Sequence, residues 1–162
     1  VRAFLALAAL AFGGGAACTY WLSGILPAML LPDVPFLAAV YAGLRVAGPA
    51  GLAAAAAAAL AREVFTSAPP FSLFCSTLAI YVLLRETGTR LFIRLEPAAL
   101  VVAAVLLLAE SLGVSLLMYL GGALHLSPLW GAAEAVRISW TSLAAAPLFA
   151  FLDARLRGIE RP

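Results

Sequence analysis

"GLAAAAAAALAREVFTSAPP", residues 51–70, sets seven alanines in a row against an Arg-Glu pair and then a double proline. Alanine has the highest helix propensity of any residue, so the run predicts a helix. Two opposite charges at its end need a reason, and that reason depends on the solvent around the helix. The rest of the chain identifies that solvent. Of 162 residues, 65% are hydrophobic and 11% charged, and the mean hydropathy is +1.08. A soluble domain is about half apolar and roughly a quarter charged, so most of this chain is expected to sit in lipid. It contains no Lys, Asn or Gln. A net charge of +2 is too small to suggest a nucleic-acid partner. No Gly-rich phosphate loop, zinc-ligand spacing or Ser-His-Asp set is present. Cys18 and Cys75 lie far apart in apolar surroundings and read as small buried residues rather than a disulfide.

Six apolar blocks follow along the chain, at about 3–23, 34–48, 49–67, 70–85, 97–121 and 132–152. Crossing a bilayer takes about 20 apolar residues, fewer where neighbours or local thinning help. Blocks one, three, five and six meet that length, and two and four are short. Prolines mark the joints: Pro32, Pro35, Pro49, Pro69, Pro70, Pro97 and Pro128. Proline fits a first helical turn, where no internal hydrogen bond is lost.

With six spans, Arg2, Arg45, Arg85, Arg90, Arg94, Arg155, Arg157 and Arg161 all fall on one side. The opposite loops hold Asp33 and His125. This is the positive-inside pattern, and it places both termini in the cytoplasm. Dropping one short block would scatter the arginines over both sides. The expected fold is therefore an all-α integral membrane protein, a single domain over 1–162 built as a bundle of six transmembrane helices. The opening "VRAFLALAALAFGGGAAC" has features of a signal peptide. The apolar run continues past Cys18 through Tyr20 and Trp21, so a span is expected instead.

Within the third block, Gly51, Ala55, Ala59, Glu63 and Ser67 are spaced by four and line one helical stripe. Small residues at that spacing let two backbones approach closely in lipid. Glu63 on this stripe is expected to face protein, and Arg62, about 100° around the helix, to snorkel outward or meet another helix. The pair reads as an ion pair that sets helix depth, as a contact site, or as a transport site. Three more charges lie inside the blocks. Glu110 sits near the middle of block five, and Glu134 and Arg137 open block six three residues apart, where they can pair. Arg137 is the expected partner for Glu63 or Glu110. Arg62, Glu63, Glu110, Glu134 and Arg137 read either as an internal network that holds the helices together or as a proton or ion relay. No catalytic residue is expected, because no nucleophile has a base beside it. No metal ligand set is expected either, since His125 lies in a loop with no second ligand in view.

Several of these stretches resemble MreD, the family of rod-shape-determining membrane proteins. "LPDVPFLAAVYAGL" at 31–44 resembles the proline-acidic start and the tyrosine of that family's second helix. Gly51, Ala55, Ala59 and Glu63, followed by "TSAPPF" from Thr66, resemble its third helix, a small-residue stripe ending in an acidic residue and a Ser/Gly-Pro turn. The family favours Asp where this chain has Glu63, and the family's glycines near the turn are replaced by Ser67 and Phe71. "LAIYVLLRETGTR" and "PLFAFLDARLR" are similar to its fourth and last helices. The resemblance implies a non-enzymatic scaffold of the elongation complex for bacterial cell-wall (peptidoglycan) synthesis, in the inner membrane. It implies an MreC-like single-span partner, links to the MreB filament and to peptidoglycan synthases, and no cofactor or soluble substrate.

A second reading is the membrane-embedded S component of a vitamin uptake transporter. Such proteins have six helices and a similar size, and the MreD family looks like a distant relative of them, so an S-component-like fold is expected. Their coupling helix carries small residues four apart, as Ala9, Gly13 and Ala17 do here. A vitamin pocket needs fixed donors and acceptors, commonly Asn and Gln, and this chain has neither.

Overall fold

The computed structural model describes residues 2–65, 70–91, 96–122 and 128–156. Among them there are six α-helices and no strand, so the all-helical class holds. The helices are α1 (Arg2–Ala16), α2 (Val34–Arg45), α3 (Gly48–Phe65), α4 (Ser72–Leu91), α5 (Glu96–Leu120) and α6 (Pro128–Leu156). A π-helical turn (Ala17–Trp21) and a 3-10 turn (Leu22–Gly24) extend α1.

Three segments are each long and apolar enough to cross a membrane: Arg2–Gly24, Leu100–Leu120 and Gly131–Leu156. The third block, 49–67, also expected to be long enough, is not among them. Its counterpart α3 carries Arg62 and Glu63 and owes its apolar character mainly to alanine. α4 runs to Leu91, past the expected end at 85, because a helix can continue beyond its apolar stretch into polar residues such as Glu86 and Thr87.

α2 is the shortest helix and the most enclosed. Every residue from Pro35 to Gly43 is buried. A helix that is apolar on all sides belongs inside a protein, and α2 is surrounded accordingly by α1, α3 and α4 on one side and α6 on the other. Its start is fixed by Asp33, whose carboxylate accepts a hydrogen bond from the Phe36 N–H at 3.0 Å. This satisfies one of the donors that a helix start leaves open. At its other end, Val46 and Ala47 alone connect it to α3, and Gly48 supplies the left-handed φ of 69° that so short a turn requires.

α3 lies against α1, α2 and α4. Its alanine face permits this. Ala54, Ala55, Ala58, Ala59 and Ala61 are all buried, as is Gly51, where a Cβ would collide with the Val46 carbonyl. The stripe of Gly51, Ala55 and Ala59 is therefore used for close packing within this chain. α5 and α6 pack on each other and touch the other four helices sparingly. Cys18 and Cys75 are free thiols. Cys75 is exposed on α4 and Cys18 half-buried, which corrects the expectation that both are buried.

Candidate functional site

The site forms where the beginning of α2, the end of α3 and the beginning of α6 come together with the middle of α5. Its centre is Arg62, which is 4% exposed. The Arg62 Nε donates to Asp33 Oδ2 at 3.0 Å and Nη2 donates to the same oxygen at 2.8 Å. On the other side, Nη1 and Nη2 donate to the two oxygens of Glu110, each at 2.6 Å. Nη1 also donates to Thr77 Oγ1 at 2.7 Å. Five donors in a planar fork can serve two carboxylates at once, which an ammonium cannot do. The guanidinium carbon stands 5.0 Å from the centre of the Phe36 ring, so the aromatic face adds to its stabilisation.

The network extends from both carboxylates. Ser76 donates its hydroxyl to Glu110. The Asp33 N–H donates to Thr141 Oγ1 at 3.2 Å, tying the start of α2 to α6. Arg137 lies 3.7 Å from Asp33 Oδ2 and donates to Glu134, one turn before it on α6. Glu134 in turn accepts from Ser111 on α5 at 2.6 Å. Three carboxylates and two guanidiniums thus form one connected cluster. Among the described residues, no buried side-chain nitrogen or oxygen lacks a hydrogen-bond partner. Buried charge is costly unless paired and hydrogen-bonded, and this cluster meets both conditions. The serine hydroxyls that donate to Glu110 and Glu134 meet carboxylates already held by arginine, so neither carboxylate is a free general base. Among the described residues no group of His, Cys, Asp or Glu could hold a metal ion.

Several expected pairings are corrected here. Of the two alternatives for Arg62, snorkelling outward or meeting another helix, the second holds: it points inward, is buried, and meets Asp33 and Glu110. Glu63 lies outside the cluster and accepts the N–H groups of Phe71 and Phe74, the latter at 3.1 Å, at the start of α4. The reason is geometric. Each four-residue step on a helix turns 400°, so a four-spaced stripe drifts about 40° per step. By Glu63 the drift from Gly51 has reached about 120°, and the face continues through Ala54, Ala58 and Arg62 instead. Glu110 is buried and faces the interior, but its guanidinium partner is Arg62 rather than Arg137. The pairing of Glu134 with Arg137 is present as expected. Ser67 lies outside the described residues, as do Ala68 and His125.

Sequence reasoning gave Asp33, an outer-loop charge at the proline-acidic start of the second helix, no partner, and it missed the hydroxyls Ser76 and Thr77. One signal was available. In an antiparallel arrangement, Asp33 at the beginning of α2 and Arg62 near the end of α3 lie at matching heights. Their opposite charges could have been paired on that ground.

A second polar group lies at the opposite end of α2. Tyr41 donates its hydroxyl to Asp153 at 2.9 Å, and Arg45 approaches the same carboxylate at 3.8 Å. Arg85 donates to the Val46 carbonyl at 3.4 Å. Comparison with protein-family models, curated proteins and solved structures gives no match to this chain.

Proposed function

We propose that this chain is a non-enzymatic membrane scaffold of the bacterial cell-elongation machinery. It sits in the inner membrane with six spans and both termini cytoplasmic, and it docks an MreC-like single-span protein. The observation that carries this reading is that the described interior charges are held by one another, with no buried side-chain polar atom among the described residues left unpartnered. The outer face of α1, a stripe that would serve a helix partner under the scaffold or the S-component reading, is the docking surface. Ala9, Gly13 and Ala17 are all exposed, and a Cβ built on Gly13 meets nothing within 4 Å. A foreign helix can bring its backbone close there, which is how helices associate in lipid. The comparable stripe on α3 is already consumed inside the chain. The interior charges are likewise spent on one another, which suits a rigid frame better than a catalyst.

The test is co-purification with the MreC-like protein in mild detergent. The wild type should retain it, and Gly13→Leu should weaken retention about tenfold, roughly 1.4 kcal/mol, while melting at an unchanged temperature. Loss of the gene should turn rod-shaped cells round. If the wild type retains no such partner and cell shape does not depend on it, the scaffold reading fails.

One observation favours the S-component reading as a second possibility. A cavity with charged walls opens beside the Asp33–Arg62–Arg137 cluster, and these side chains offer fixed donors and acceptors without Asn or Gln. Under that reading the chain co-purifies with ATPase subunits and supports uptake of a small solute.

A further inference from the structure

The cavity beside the cluster measures about 330 Å³ and is partly open. It lies among the end of α1, the beginning of α2, the end of α3 and the first third of α6. A cavity of that volume is of the size that admits a small ligand or a lipid headgroup. Its polar wall comprises Asp33, Arg62, Arg137, Thr19 and Ser23.

The two arginines differ in what they have left to give. Arg62 directs hydrogen bonds from Nε, Nη1 and Nη2 to protein oxygens. Arg137 directs Nε and Nη2 to Glu134. Its Nη1 stands 3.7 Å from Asp33, beyond hydrogen-bond distance, and its side chain is 28% exposed. The Nη1 N–H groups of Arg137 can therefore meet an acidic oxygen in the cavity. Asp33, with a side chain 16% exposed, stands next to them with the opposite charge.

Charge balance narrows the ligand further. Asp33, Glu110 and Glu134 face two guanidiniums, which leaves the cluster one negative charge in surplus. A simple anion would add to that surplus in a medium of low dielectric. A simple cation would confront the two guanidiniums in the wall. A ligand that brings both signs meets neither objection.

We propose that this cavity binds a zwitterionic group. Its acidic oxygen rests on Arg137 Nη1, and its ammonium turns toward Asp33 and the Thr19 and Ser23 hydroxyl oxygens. Two sources carry this chemistry: the phosphodiester-linked ethanolamine head of a membrane phospholipid, and a soluble phosphodiester zwitterion such as glycerophosphoethanolamine. The surroundings point to the lipid first. The cavity adjoins the end of the membrane-length segment Arg2–Gly24, beside Tyr20 and Trp21, which are 72% and 80% exposed. Exposed aromatic rings of this kind sit at the headgroup level.

The experiment is native mass spectrometry of the full chain released from nanodiscs holding equal amounts of phosphatidylethanolamine and phosphatidylglycerol. The chain should retain one phosphatidylethanolamine, preferred about tenfold over phosphatidylglycerol, the scale of one charge-assisted hydrogen bond. Arg137→Gln should lose about that factor, and Arg137→Lys should recover part of it. Cys18→Leu narrows the cavity without removing a charge and should also lose retention, so it decides the matter if Arg137→Gln does not fold. Stabilisation by soluble glycerophosphoethanolamine with no lipid retained supports the same site with the soluble source. Equal retention of both lipids, undiminished retention in Cys18→Leu, or no binding of either source overturns the proposal. None of these outcomes depends on the MreC-like partner, so this site and the scaffold reading stand or fall separately.

Discussion

Arg62 joins two carboxylates on different helices, and that double role sets the order of losses when the cluster is cut. Arg62→Gln strands Asp33 and Glu110 together, and breaking a buried pair from one side costs about 3–5 kcal/mol. Glu110→Gln leaves Arg62 still bound to Asp33 at 2.8 Å, so its loss should be smaller. Arg62→Lys should not restore stability, because a single ammonium cannot reach both sides of the fork. The check is a double-mutant cycle read by thermal unfolding in detergent. Arg62 and Glu110 should couple by more than about 1 kcal/mol. Glu110 and Arg137, which share no direct contact and are linked only through other members of the cluster, should couple more weakly than Arg62 and Glu110 do. Comparable coupling in the two cycles would show that the network is not centred on Arg62. At this scale the sequence was partly legible. It marked Glu110 as an interior charge by its depth in an apolar run, and it paired Glu134 with Arg137 by their spacing. It chose the wrong guanidinium for Glu110, Arg137 rather than Arg62, because which of two arginines reaches a carboxylate depends on the rotation of α3 about its own axis.

That rotation is hard to read because alanine fills both faces of the helix. From Ala53 to Ala59 the side chain is the same at seven consecutive positions, so the apolar pattern has no period from which to orient α3. Packing distinguishes them. Ala59 is wholly buried, whereas Ala53 is exposed. Ala59→Leu should therefore overpack the interior and cost about 1–3 kcal/mol, and Ala53→Leu should change stability by less than about 0.5 kcal/mol. Unfolding temperatures of the two variants measure this directly, and equal effects would mean that α3 is turned differently. Element boundaries were read closely for α3 and α5, expected at 49–67 and 97–121 and found at Gly48–Phe65 and Glu96–Leu120. There the prolines and the apolar run coincide. α4 was read short for a physical reason, since its last turns are helical without being apolar. α2 shows the complementary case. Its 12 residues give a rod of only about 18 Å, too short to span lipid without help, and its enclosure by other helices explains how so short an apolar helix is accommodated.

Across the whole molecule, polar contacts tie α5 and α6 to the rest at two levels of α2. At its beginning the ties are Arg62 to Glu110 and the Asp33 N–H to Thr141. At its end they are Tyr41 and Arg45 to Asp153, with the Tyr41 and Phe149 rings edge to face at 5.4 Å. The second level also holds two arginines, Arg45 at the end of α2 facing Asp153 and Arg85 donating to the Val46 carbonyl between α2 and α3. The acid-rich cluster occupies the opposite end of α2. The proposed orientation, drawn from the arginines in the sequence by the positive-inside rule, would put the end of α2 that carries Arg45 at the cytoplasmic side. The expectation can be checked by single cysteines in a background with Cys18 and Cys75 replaced by alanine. Ala47 at the turn between α2 and α3, and Ile25 beyond α1, are both exposed. Ala47→Cys should react with a membrane-impermeant maleimide only after the cells are opened. Ile25→Cys should react in intact spheroplasts. The reverse result would invert the protein in the membrane and turn the cavity beside Asp33 toward the cytoplasm. Labelling of both positions from the same side would mean that α2 does not carry the chain across the bilayer, and the six-span arrangement would fall.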